Sequence, residues 1–184
     1  MLPISIPCLV NPPCKLRAFE PRDADIIASA ADDPLIPLIT TVPTTGSPAD
    51  VDAYIQRQHE RLTSGAGYSF AIADFETDEA VGQIGLWLHE ISTGRASTGY
   101  WVASSFRRRG YARAALQALT AWAVELDEVE RLHLFVEPWN AGSWRAAEAC
   151  GFEREGLLHA WEQVGDERKD MYVYSVVLAD RRSP

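Results

Sequence analysis

Acidic residues are missing from one stretch of an otherwise acidic chain. Asp and Glu outnumber Lys and Arg by 26 to 17, for a formal net charge of -9, yet no Asp or Glu lies between Glu90 and Glu125. Arg95, Arg107, Arg108, Arg109 and Arg113 fall inside that gap. Cysteine is scarce as well. The three thiols, Cys8, Cys14 and Cys150, cannot make a disulfide framework, and neither their spacing nor the four scattered histidines match a zinc pattern. Reduced thiols, a cytoplasmic location and no metal site are therefore expected, with Cys150 in the core. No apolar run approaches the ~20 residues of a membrane span, so no membrane partner is expected. The stretch "MLPISIPCLVNPP" is apolar but lacks a basic start and holds four prolines, so it does not read as a signal peptide. An extended arm over residues 1–13 is expected instead, covering a groove or packing on a neighbour. The acidic balance argues against general nucleic-acid binding, which needs a basic face. It suits a cationic substrate that the field concentrates.

What is present reads as one domain over residues 14–184. Apolar residues make up 47% and charged residues 23% of the 184, enough for a substantial core. "CKLRAFEPRDADIIASAADDP" reads as a strand that turns at Pro21 into a short helix, with Asp23 as N-cap. "LIPLITTVPTTGS" reads as a loop, of a length that is often functional. "SPADVDAYIQRQHERLTSG" is a helix with Ser47 as N-cap, Pro48 in its first turn and Gly65 at its end. Three strand-like segments follow, "YSFAIADFE", "AVGQIGLWLHEI" and "ASTGYWVAS", as an antiparallel run. From Gly110 the positions Leu116, Leu119, Ala123 and Leu126 recur at helical spacing. Then come the strand "RLHLFVEP", the short helix "NAGSWRAAEACGF" and a hairpin of "LLHAWEQV" and "DMYVYSVVLAD" around "GDERK". The pattern is mixed α/β.

The arginine-rich stretch, "GYWVASSFRRRGYARAAL", joins a strand to a helix that begins at Gly110 or Tyr111. The first turn of a helix has unpaired N–H groups and the positive end of the dipole. Gly110 and the small Ala112 let an anion approach the backbone. A phosphorylated ligand fits such a turn. A solvated arginine cluster ahead of a core helix is the alternative on composition alone. A Walker loop and a dinucleotide fingerprint are both absent, since each needs glycines that the stretch lacks.

Arg107-x-x-Gly110-x-Ala112 resembles the acetyl-CoA signature Gln/Arg-x-x-Gly-x-Gly/Ala of the GNAT N-acetyltransferases. Asn140-x-x-Ser143-x-x-Ala146-x-Glu148-x-x-Gly151-Phe152 is similar to the second motif of the subgroup that acetylates N-termini of ribosomal proteins, the RimJ/RimL type. The resemblance covers roughly residues 14 to 180. It implies an α/β (α+β) GNAT fold with a mixed, mostly antiparallel, splayed central sheet flanked by helices. It also implies acetyl-CoA as cosubstrate and an amine acceptor, a protein or peptide N-terminus or a small molecule. Tyr100, Trp101 and Val102 would run beside the pantetheine arm. The amides of Arg108, Arg109, Gly110, Tyr111, Ala112 and Arg113 would cradle the pyrophosphate, with Arg107 opening the motif. Asn140 and Ser143 would face the reacting sulfur. A homodimer is implied as possible by the subgroup. A catalytically silent CoA-binding module on the same fold is the alternative.

Acyl transfer needs a neutral amine. At pH 7.4 a lysine-type amine of pKa ~10.4 is neutral about once in a thousand, and an α-amine near ~7.8 roughly a quarter of the time. The motif tyrosine that many relatives use as acid would fall seven residues after Asn140, and Ala147 stands there. The resemblance to the ribosomal subgroup points instead to Ser143 and Glu162 as catalytic residues, with an exposed strand carboxylate as the other reading of Glu162. Glu148 is expected to be a structural partner for a helix or backbone group. Most of the tryptophans are expected in the core or an interface, with Trp139 or Trp144 at the acceptor mouth as the alternative.

Overall fold

The computed structural model describes residues 1–178. Eight strands form one sheet in the order β1-β2-β3-β4-β5-β6-β8-β7. These are β1 (Leu9–Asn11), β2 (Cys14–Arg17), β3 (Gly67–Asp74), β4 (Ala80–Trp87), β5 (Arg95–Val102), β6 (Arg131–Val136), β7 (Glu153–Val164) and β8 (Glu167–Val177). Every neighbouring pair is antiparallel except β5 and β6. The helices are α1 (Ala24–Ala31), α2 (Ile36–Ile39), α3 (Pro48–Thr63), α4 (Tyr111–Val124) and α5 (Ala141–Ala149).

β3 and β4 are buried along nearly their whole length because helices cover both faces. Side chains alternate across a strand. Tyr68, Phe70 and Ile72 therefore share one core with Leu116, Leu119 and Trp122 of α4. Ala71 joins the opposite core, with Ile27, Val51 and Tyr54 of α1 and α3. Trp122 meets the edges of both Tyr68 and Phe70, with ring centroids 4.9 and 5.6 Å away.

The parallel pair matters most for the site. β5 and β6 are in register only from Arg95↔Arg131 to Ser97↔His133. Beyond Ser97 they part, while β6 stays paired with β8 as far as Val136↔Tyr172. Ala103 N bonds to Val81 O, at 3.0 Å on the β4 side. Main-chain groups alternate sides along a strand, so the N–H groups of Val102 and Tyr100 face the opened side. The sheet is splayed as the resemblance implied.

Three local features depart from the sequence reading. Asp23 does not cap α1 with its side chain; its carboxylate takes both terminal nitrogens of Arg17 at 2.8 Å and the Glu20 N–H at 2.8 Å. Ion pairing outcompetes a cap that water could satisfy. The segment read as a loop contains α2, because a proline in a first helical turn loses no hydrogen bond. Residues 9–11 of the arm add the edge strand β1, and Asn11 Nδ2 donates to Ala114 O of α4 at 3.0 Å. The Ser47 cap of α3 and the Gly65 terminus, in the left-handed region at φ 74°, are as expected.

Candidate active site

Gly110 is the N-cap of α4 and adopts φ 87°, a conformation that glycine takes without strain. Arg108, two residues earlier, also has positive φ, at 64°. The first internal bond of α4 runs from Ala114 N to Gly110 O at 3.0 Å. The amides of Tyr111, Ala112 and Arg113 thus have no carbonyl within the helix. They border a cavity of about 420 Å³, together with Arg107, Arg108, Gly110, Trp101, Val102, Asn140 and Ser143.

The arginines divide their labour. Arg107 donates from Nε to Val102 O at 3.0 Å and from Nη2 to the nearly buried Asp33 carboxylate at 2.7 Å. Its side chain therefore ties the end of β5 to the segment before α2. Arg109 does not border the cavity; its guanidinium lies 5.3 Å from the Phe106 ring centroid. Arg108 and Arg113 are exposed at the cavity rim. Tyr111 turns its hydroxyl away, to Asp74 Oδ2 at 2.5 Å, so it offers the cavity main chain and ring.

A second cavity, of about 410 Å³, meets the first at Ile39, Tyr100, Asn140 and Ser143. Asn140 caps α5, its Oδ1 accepting from Ser143 N at 3.2 Å. That cap holds Ser143 at the helix start, beside β5. The Ser143 hydroxyl donates to the Tyr100 hydroxyl at 3.0 Å, and the Tyr100 hydroxyl donates to Ser143 O, also at 3.0 Å. Burial pushes the Tyr100 phenol up to about 12 despite the opposing bond from Ser143. It keeps its proton at any ordinary pH. The sequence reading gave Tyr100 only a main-chain role. Its side chain sets a second hydroxyl beside Ser143, from a strand rather than from the helix.

The second cavity is bordered by Glu162, Glu137, His89, Arg61, Trp87 and Phe135, among others. Glu162 is exposed on β7, in register with Lys169. It follows an irregularity in which Leu158↔Met171 gives way to Glu162↔Lys169, with Ala160 at φ 48° and its N–H on Asp170 Oδ1 at 2.8 Å. Such bulges re-aim side chains. Trp139 borders the first cavity rather than the second, and its indole N–H donates to Glu137 at 2.7 Å. Trp144 packs on the core. Glu148 has the structural role expected of it, accepting from the Tyr174 hydroxyl at 3.0 Å. Among the described residues no group of three or more His, Cys, Asp or Glu is arranged to hold a metal ion, and no helix is long and apolar enough to cross a membrane.

Residues 14–153 match the family described as Acetyltransferase (GNAT) domain. The chain is 27% identical to the N-acetyltransferase p20 of Bacillus licheniformis over 162 residues, covering 88% of this chain and 91% of that protein. It is 30% identical to the ribosomal-protein-serine acetyltransferase of Escherichia coli over 112 residues, 61% and 63% of the two chains. The fold is similar to that of Mycobacterium smegmatis RimJ, solved in complex with CoA-disulfide, with a TM-score of 0.79 and 23% identity over 97% of this chain and 89% of that one. With three quarters of its length matched and both motifs facing one cleft, the chain belongs to the GNAT family of acetyl-CoA-dependent N-acetyltransferases.

Proposed function

We propose that the protein transfers the acetyl group of acetyl-CoA directly to the α-amine of a polypeptide N-terminus. One observation carries this reading: two cavities meet at the Tyr100–Ser143 hydroxyl pair, where β5 and β6 part. The cavity at the start of α4 suits a nucleotide with its phosphates, and the second one, with carboxylates on its border, suits an amine. The sequence kinship to a ribosomal-protein acetyltransferase supports the polypeptide acceptor. Three free cysteines fit a cytoplasmic site of action.

The residues divide the work as follows. The N–H groups of Tyr111, Ala112 and Arg113 and the dipole of α4 hold the pyrophosphate. Arg108 and Arg113 supply positive charge at the rim. The Val102 N–H, on the open edge of β5 and nearer the pyrophosphate, pairs with a pantetheine carbonyl. The Tyr100 N–H, nearer Ser143, donates to the thioester oxygen as charge builds there. Glu162, directly or through one water, takes the proton that the amine sheds on attack. Ser143, backed by Tyr100, gives a proton to the sulfur as the carbon–sulfur bond breaks. The products are the acetylated amine and free CoA thiol, and the proton count closes when Glu162 releases its proton to solvent and the Ser143–Tyr100 pair regains one from it. A thiol of pKa ~8.5 leaves readily, so one hydroxyl donor suffices. The hydroxyl pair at the meeting point disfavours a silent CoA-binding module, which has no use for it.

The test is release of free thiol from acetyl-CoA with a panel of amines. The panel holds peptides beginning with Ser, Ala, Met and Asp, lysine-containing peptides with blocked N-termini, polyamines and aminoglycosides. Release with free N-terminal peptides, and a mass gain of one acetyl group at the α-amine, is the expected result. Release with polyamines or aminoglycosides alone would overturn the polypeptide reading. Binding of acetyl-CoA without release from any amine would favour the silent module.

A further inference from the structure

Arg17, Arg22, Arg95, Arg107 and Arg131 each pair with a carboxylate. Eight arginines among the described residues do not, and seven of these are exposed; Arg61 is the half-buried one. Arg61 forms no ion pair among the described residues, in a chain with nine more acidic than basic side chains. It is half-buried on the last turn of α3 and borders the acceptor-side cavity. A desolvated cation normally has a partner. Burial disfavours the charge on Arg61, and Arg57 adds repulsion.

The guanidinium is also held rigidly. Its Nε donates to Gln58 Oε1 at 3.1 Å, and Nη2 donates to Thr41 Oγ1 at 3.1 Å. Gln58 is buried and is fixed in turn: Nε2 donates to Tyr54 O at 3.1 Å, and Oε1 also accepts from Ser69 Oγ at 2.9 Å. One face of the guanidinium covers the Trp87 ring, 4.5 Å from its centroid. The Trp87 ring occupies the space above Gly85, where a Cβ would fall 2.0 Å from Cζ2. Only glycine there lets the indole lie down as a floor. Nη1 donates to no described residue. A planar donor preorganised on three sides, on a residue that borders the cavity and with one nitrogen left without a described partner, is built for a carboxylate.

We infer that Arg61 receives a carboxylate of the acceptor, so that the preferred substrates bear an acidic group close to the amine that is acetylated. This rests on the second cavity being the acceptor site. The same cavity has Glu137 and Glu162 on its β6–β7 side, where an ammonium is attracted. The acceptor is therefore bifunctional, an amine at the Ser143 end and an anion at Arg61. The carboxylate belongs either to an Asp or Glu side chain near a polypeptide N-terminus or to the C-terminus of a very short peptide.

The experiment compares kcat/KM for matched acceptors. C-terminally amidated peptides beginning Ser-Asp, Ser-Asn and Ser-Lys test the side-chain source. The Ser-Ala dipeptide against its amide tests the terminal source. Wild type should favour the acid over its amide in at least one pair by about 10- to 100-fold, mainly through KM. Arg61→Gln should erase that preference, and Arg61→Glu should turn it toward Ser-Lys, with the affinity for acetyl-CoA unchanged in both. Acid and amide acceptors turned over within about twofold by wild type would overturn the inference and leave N-terminal acetylation standing. So would a preference that survives Arg61→Gln. Turnover of polyamines or aminoglycosides alone would overturn both. A wild-type ratio near one overturns the inference even if the variants fold poorly, and Arg61→Lys, which keeps the charge but not the planar fork, should retain part of the preference.

Discussion

Ser143 and Tyr100 lie 43 residues apart in sequence and share a hydrogen bond at the meeting point of two cavities. Neither hydroxyl is acidic enough alone to hand over a proton freely; as Ser143 turns its proton to the sulfur, Tyr100 can turn its own from Ser143 O to the Ser143 hydroxyl and replace it. Tyr100→Phe removes one oxygen and keeps the ring. It should lower kcat by about 100-fold, in the range of general acid catalysis, while the affinity for acetyl-CoA stays within about twofold. Ser143→Ala should likewise lower kcat more than it raises KM for acetyl-CoA. A wild-type kcat in either variant removes that hydroxyl from the mechanism. The pH profile gives a second check. Burial pushes Tyr100 up to about 12, so it stays protonated and adds no inflection across an assay range of about pH 6–9. The rise of kcat/KM with pH should instead follow the acceptor's own amine, near ~7.8 for a peptide. The profile should shift when the acceptor's pKa is changed. A basic limb that stays put across acceptors would assign it to the protein instead.

At the scale of elements, the site was legible wherever a local signal fixed it. Gly110 before an apolar period marked the start of α4, and Asn140 three residues ahead of Ser143 marked the start of α5. Both starts face the same cleft because a strand precedes each. What the sequence left unread depends on contacts between distant elements. The Arg107 side chain reads as a phosphate ligand until Asp33, 74 residues away, is seen to hold it. Tyr100 reads as one more strand residue, since alternation says which face it takes but not what stands there. The α2 turn hides among prolines because four residues carry no period. The α4 start makes the sharpest element-scale prediction. Gly110→Glu places a side chain at φ 87° and a negative charge where phosphate belongs. The conformation should cost about 1–3 kcal/mol of stability. The charge should abolish the rise in melting temperature that acetyl-CoA gives the wild type. There is open space around that Cβ, with Pro13 Cγ the nearest atom at 3.9 Å, so crowding is not the cause. Gly110→Ala should accordingly show the strain while retaining much of the binding. Unchanged affinity in Gly110→Glu would remove the loop from the phosphate site.

For the molecule as a whole, the far end of the sheet depends on a buried ionic cluster. Arg17 and Asp23 are almost entirely inside the protein, at 8% and 3% exposure. Their two parallel bonds join β2 to the start of α1. Arg17 Nε also donates to Asp78 Oδ1 at 2.9 Å, in the turn between β3 and β4. Burial works to raise the Asp78 carboxyl, but bonds from Arg17, Lys15 and Arg22 outweigh it and hold Asp78 well below the usual carboxylate range. A carboxylate depressed on folding stabilises the native state above its unfolded pKa of ~3.9. That stability drains away as pH falls below this value toward the folded pKa. Arg17→Met should therefore act twice. At pH 7 it strands Asp23 as an unpaired buried charge and should cost about 3–5 kcal/mol, lowering the melting temperature by roughly 10 °C. Below pH 4 it should lose less than wild type does, because Asp78 has already given up one of the bonds that depress it. Denaturant unfolding of both proteins at pH 7 and pH 3 would show the gap between them narrowing in acid. A loss under about 1 kcal/mol at pH 7 would mean that water or a rearranged Lys15 takes over from Arg17. A gap that widens in acid would contradict the sign assigned to Asp78.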